Sequence, residues 1–203
     1  MKHHVQGTAL VLLSALVLLA AGCDDGVTAP RALPDQGPDL AKVPYEPGAA
    51  SSRALYQVQL SPMGGTTNHG TVKIEIAGGY LVVSAHAEGL DPLQHIPEHI
   101  HVNPTCDNGG TVLISLNAHL SVLNEAPPVG PDFPIANDAG VLNYQASRSL
   151  SSLRLAVNAN FGTNLASDED LIAWLDLENR NVHMHASAAP FTPMTCGSVE
   201  RVN

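Results

Sequence analysis

The sequence predicts an all-β protein, an antiparallel sandwich or barrel, and two observations carry that expectation. Apolar and polar residues alternate with period two over much of residues 54–203, and Gly, Pro and Asn break the alternation into short runs. Many short strands joined by turn residues bury a core only by facing one another as two layers or a closed sheet.

The runs follow in order. "ALYQVQL" (54–60) is the first. "TVKIEIAGGYLVVSAHAEGL" (71–90) is the clearest, with Val72, Ile74 and Ile76 on one face, Gly78 and Gly79 as the turn, and Leu81, Val83, Ala85 and Ala87 on one face of the return. "TVLISL" (111–116) and "GVLNYQAS" (140–147) come next. In "LRLAVNANF" (153–161), Leu153, Leu155, Val157, Ala159 and Phe161 alternate with polar or small residues and predict another strand. "LIAWLDLENRNVHMHA" (171–186) continues the pattern, although Ser167 with Asp170 also resembles a capping box for a short helix over "DEDLIAWL". No internal repeat is evident.

Two segments precede this domain. Residues 1–22 read as a secretory signal, with Lys2 ahead of the apolar "ALVLLSALVLLAAG". "LAAGC" resembles a bacterial lipoprotein box, with Ala20 where leucine is usual, and implies lipidation of Cys23 and a membrane anchor. Residues 23–53, rich in Pro, Gly, Ala and Asp, then form a disordered tether. The domain is expected in the bacterial cell envelope, facing periplasm or exterior.

The net charge of −10 falls to −11 once Lys2 leaves with the signal, and no basic patch is present, which argues against nucleic acid as a partner. Setting Cys23 aside leaves Cys106 and Cys196. In an exported protein this even remainder points to a disulfide, worth about 4 kcal/mol as a restraint on the unfolded chain; two thiolates on a metal is the other arrangement, disfavoured in an oxidising compartment.

Histidines supply the candidate chemistry. "EHIHVNPTC" (98–106) and "NVHMH" (181–185) each place two histidines two residues apart, so in strands His99 and His101 share a face, as do His183 and His185. If the strands meet, the imidazoles offer a first shell suited to copper or zinc. Otherwise all four are polar residues on a solvent face.

The stretch 69–106, "HGTVKIEIAGGYLVVSAHAEGLDPLQHIPEHIHVNPTC", resembles the first half of copper/zinc superoxide dismutases, and "RNVHMH" with "MTCGSV" resembles their closing strands. The first half is also similar to CHRD domains. The dismutase resemblance implies a Greek-key β-sandwich or barrel with a Cys106–Cys196 disulfide. It implies copper on His99, His101 and His185, with His183, His95 or His119 as a candidate fourth ligand, and it is compatible with a homodimer. Gly89, Leu90 and Pro92 fit the turn before the ligand strand, and Arg180 precedes His185 by the family's interval. Departures are equally specific. No histidine closely follows Cys106, "NEAPPVGPDFPIANDAG" (124–140) has no zinc-loop histidine, and Pro193 stands where the family has an active-site arginine. Zinc is therefore not expected, and no catalytic residue is assigned. Superoxide dismutation is one reading of the copper site; a non-catalytic CHRD-like envelope module and a periplasmic copper buffer are the alternatives.

Overall fold

The computed structural model describes residues 53–107, 110–125, 132–187 and 192–202. The signal, most of the tether and Cys23 lie outside them. Eight strands form one curled antiparallel sheet: β1 (Ala54–Pro62), β2 (His69–Ala77), β3 (Tyr80–Glu88), β4 (Glu98–His101), β5 (Val112–Ser115), β6 (Leu142–Ser149), β7 (Asn181–His185) and β8 (Pro193–Val202). Their order is β5-β4-β7-β8-β1-β2-β3-β6, so the chain crosses over between β3 and β4, between the edge strands β5 and β6, and between β6 and β7, as Greek-key connections do.

Period-two burial explains the curl. Val58 and Leu60 of β1, Val72 and Ile74 of β2, and Leu81 and Val83 of β3 all point into one apolar cluster. Each such aliphatic side chain, fully buried, contributes about 1.5–3 kcal/mol. The β2–β3 hairpin turns at Gly78 and Gly79, whose φ values of 57° and 79° demand a residue without Cβ strain. β8 serves both halves of the sheet, pairing with β1 and with β7. At Gly197 its backbone passes so close to β1 that a Cβ would lie 2.2 Å from the Gln59 carbonyl oxygen.

The expected strand over 153–161 is a helix. α1 spans Leu150–Phe161, capped by Ser149, whose side chain accepts from the Ser152 amide, and ended by Gly162 in the left-handed region. Leu153 and Val157 fit either period, being four residues apart. Leu155 decides, since the helix leaves it 67% exposed while Leu150, Leu153, Ala156 and Val157 are buried. α2 (Asp168–Leu175) has the capping box that Ser167 and Asp170 suggest, and a 3-10 turn, Leu177–Asn179, leads from it into β7. Phe161 packs on Trp174, ring centroids 5.1 Å apart, joining the helices. Among the described residues no helix is long and apolar enough to cross a membrane.

β5 and β6 are the sheet's two edges, and side chains tie them. The Tyr144 hydroxyl of β6 lies 2.8 Å from the Leu116 carbonyl just after β5. Arg148 of β6 donates to both carboxylate oxygens of Glu125 at 2.7 Å and to the Leu120 carbonyl at 3.2 Å. The guanidinium holds the Glu125 carboxyl below the usual carboxylate range. Hydrogen bonds to a charged group contribute about 1.5–3 kcal/mol. Arg148→Ala is therefore expected to lower stability by about 2 kcal/mol, read as a lower urea midpoint. An unchanged midpoint would show that the seam closes without this pair.

Candidate metal centre

The sheet register builds the site. β4 pairs with β7 so that His99 faces His183, and β7 pairs with β8 so that His183 faces Cys196. Residues directly opposite in an antiparallel pair project to the same side. Ser115, His99, His183 and Cys196 thus form a row across four strands on the outer face, while Ile100, Val182 and Met184 fill the core behind it.

On the strand lattice His101 and His185 fall on opposite sides of the His99–His183 pair. Their ring centroids nevertheless approach to 5.8 Å. Register shifts at Ile100/His101 and at Met184/His185 occur where convergence is needed, and such irregularities re-aim side chains. The result is a patch of four imidazoles. His99 lies 5.7 Å from His101 and 5.2 Å from His185, and His183 lies 4.8 Å from His101, all between ring centroids.

Ligand atoms sort this patch into two groups. One nitrogen each of His99, His101 and His185 lies within 4.8 Å of the others; His183 falls instead with Cys106 and Cys196 by the same measure. The two cysteines are joined as a disulfide, Cα–Cα 5.8 Å. Their pairing, and the all-β antiparallel fold, agree with the sequence.

Electrostatics keep the rings in their ligating form. Burial, followed by the neighbouring imidazoles His185, His101 and His183, pushes His99 down to about 3. Burial and then His101 and His185 push His183 down to about 4. Neutral imidazole is what a metal requires. The His101 Nδ1 lies 3.2 Å from the Gly110 carbonyl oxygen. A carbonyl only accepts, so Nδ1 carries the proton and Nε2 keeps its lone pair. His99 Nδ1 is buried with no hydrogen-bond partner.

The other two candidate ligands lie outside this group. His95 is exposed, and its Nδ1 meets the Phe133 carbonyl oxygen at 3.0 Å. His119 is exposed and sits 3.6 Å from Asp132. Both hold the segment 132–137, which is further tied down by backbone bonds from Leu93 and Ile96 to Ala136 and Pro134. This strap sets Phe133 edge-on against His99, centroids 5.4 Å apart. They therefore shape the cover of the site from its rim. Nothing in the sequence marked Phe133 for that role.

Glu98 was also missed. It is fully buried, facing inward one residue before His99, and burial raises its carboxyl to about 8 against the smaller opposing effect of Tyr144. The Tyr144 hydroxyl lies 3.1 Å from Glu98 Oε2 as well as 2.8 Å from the Leu116 carbonyl. It has one proton, and the carbonyl only accepts, so the tyrosine donates to Leu116. The neutral glutamic acid then donates to the tyrosine oxygen. Sequence could have flagged Glu98 only by its phase with Ile100.

No protein-family model matches the chain, and no curated protein matches it. Among solved structures the chain is similar to a mutant of superoxide dismutase 5 from Candida albicans, at 16% identity and TM-score 0.46, covering 72% of this chain and 88% of that one.

The shifted groups fix how stability varies with pH in the metal-free protein. His99 and His183, lowered from an ordinary 6.5, contribute stability above 6.5 that is lost as pH falls through about 4 and 3. Glu98, raised from 4.5, contributes stability below 4.5 that is lost as pH rises through about 8. Between 4.5 and 6.5 the two histidines outweigh one carboxyl, so the melting temperature is expected to peak near pH 6.5. Thermal melts of chelator-treated protein test this. Glu98→Gln should flatten the decline toward pH 8 and keep the acid one; an alkaline decline that survives the substitution would refute the assignment.

Proposed function

We propose that the chain is a lipid-anchored cell-envelope protein whose domain binds one copper ion through His99, His101 and His185. The observation that carries this reading is the convergence of three imidazole nitrogens from two strands within 4.8 Å. Three nitrogens suit copper in either oxidation state, trigonal for Cu(I) and tetragonal with added ligands for Cu(II). Zinc would accept the same three nitrogens. Copper is favoured by the family resemblance of the two His-x-His strands, which lacks the zinc-loop histidines. "LAAGC" supports the anchor at Cys23.

Copper held there would supply one-electron exchange. This chain's own residues do the rest. His99 and His101 from β4 and His185 from β7 hold the ion, the Gly110 carbonyl fixes the His101 tautomer, and Phe133 covers one flank. Pro193 stands opposite His185, so that position offers no cation for an anionic substrate such as superoxide. That favours copper holding over efficient dismutation.

Full-length protein from copper-supplemented cells should carry one copper per chain by elemental mass spectrometry, and His99→Ala should lower copper affinity at least about tenfold. Superoxide turnover that is copper-dependent and lost in His99→Ala would restore the dismutase reading. Sub-stoichiometric copper indifferent to His99→Ala would leave a non-catalytic, CHRD-like module.

A further inference from the structure

We propose that reduction of the Cys106–Cys196 disulfide creates a second metal site, in which the two thiolates and His183 bind a monovalent copper ion. It stands apart from the His99–His101–His185 reading, because it shares no ligand with that group.

The argument starts from His183. Its side chain is 2% exposed, and neither Nδ1 nor Nε2 has a hydrogen-bond partner. A buried polar group left unsatisfied is destabilising, and an apolar residue at this position would avoid that cost. The register then says what the ring faces. His183 sits directly opposite Cys196 on β8, and its ligand nitrogen and both cysteine sulfurs lie within 4.8 Å of one another. Thiolates select soft ions such as Cu(I) or zinc. Zinc in a protein structural site is almost always four-coordinate, and among the described residues this cluster offers three donors. Three donors with two thiolates fit Cu(I).

Access and electron balance are both satisfied. Cys106 is half-buried whereas Cys196 is 2% exposed, so an external dithiol reaches the Cys106 sulfur first. The dithiol gives two electrons and becomes a disulfide as the Cys106–Cys196 bond breaks. Its two protons finish on the two cysteine sulfurs, and Cu(I) binding releases both. Asn181 holds the backbone leading to Cys106 independently of the disulfide, donating to the Asn103 and Thr105 carbonyls at 2.7 and 2.8 Å.

The test is an anaerobic Cu(I) titration of the full chain in mild detergent against a chromogenic chelator, with the disulfide intact and after dithiol reduction and desalting. Reduction should add one Cu(I) per chain, whether the oxidised protein binds one or none, so failure of the histidine-triad reading remains visible as a zero baseline. His183→Ala keeps every sulfur and should weaken the added site at least about tenfold. X-ray absorption should show two sulfurs and one nitrogen around the added copper. No increment on reduction, or an increment with unchanged affinity in His183→Ala, would overturn the proposal. So would loss of the β-sheet circular dichroism on reduction, because the site requires the folded sheet to bring both cysteines to His183.

Discussion

Everything about the candidate site depends on the register of three neighbouring strands, β4, β7 and β8. A slip of one residue in β7 would turn His183 and His185 into the core and push Val182 and Met184 out to solvent. The core forbids it, since Ile100, Val182 and Met184 are all fully buried. The apolar residues between the histidines therefore aim them. The disulfide at the end of the same row and the Asn181 bonds to the 103–105 segment hold that register from the outer face.

The inner face of β4 carries a second dependence. Glu98 projects inward beside His99, and as a neutral acid it links through Tyr144 to the Leu116 carbonyl. Tyr144 belongs to β6, at the far edge of the sheet. The strand that presents two imidazoles outward is thus fastened inward across the open seam. A carboxylate there would be a buried charge without a cation, which is why the proton stays on it near neutrality. Site and closure share one short strand, four residues long.

What was legible in the sequence follows from what local pattern can encode. The β2–β3 hairpin was legible because Gly78–Gly79 and period two are local signals. So was the facing of His99 with His101 and of His183 with His185. The α1 segment was misread because Leu153, Leu155 and Val157 match a strand, and only tertiary burial reveals Leu155 as a surface residue. His95 and His119 looked like spare ligands because composition does not say which side of a turn a histidine faces. Phe133, Glu98 and the closeness of His183 to the disulfide depend on cross-strand neighbours far apart in sequence. No spacing rule reports those.

All four imidazoles are carried by the neighbours β4 and β7, so it is where each ligand atom lies, and not strand spacing, that sorts them into two groups. Adjacent strands lie about 4.8 Å apart, so side chains from two neighbours can meet on one ion, whereas strands once removed lie about 10 Å apart. β4 and β7 can share one centre, and β7 and β8 another. The β7 strand lies between, and it carries one histidine for each: His185 turns toward β4, and His183 faces β8. Nitrogen donors therefore collect on one side of β7, and the sulfurs lie on the other. The oxidation state of the cysteines changes the donor set on that second side only. With the sheet intact, as the proposed second site requires, reduction of Cys106 and Cys196 would change what His183 can bind and leave His99, His101 and His185 with the same three nitrogen donors.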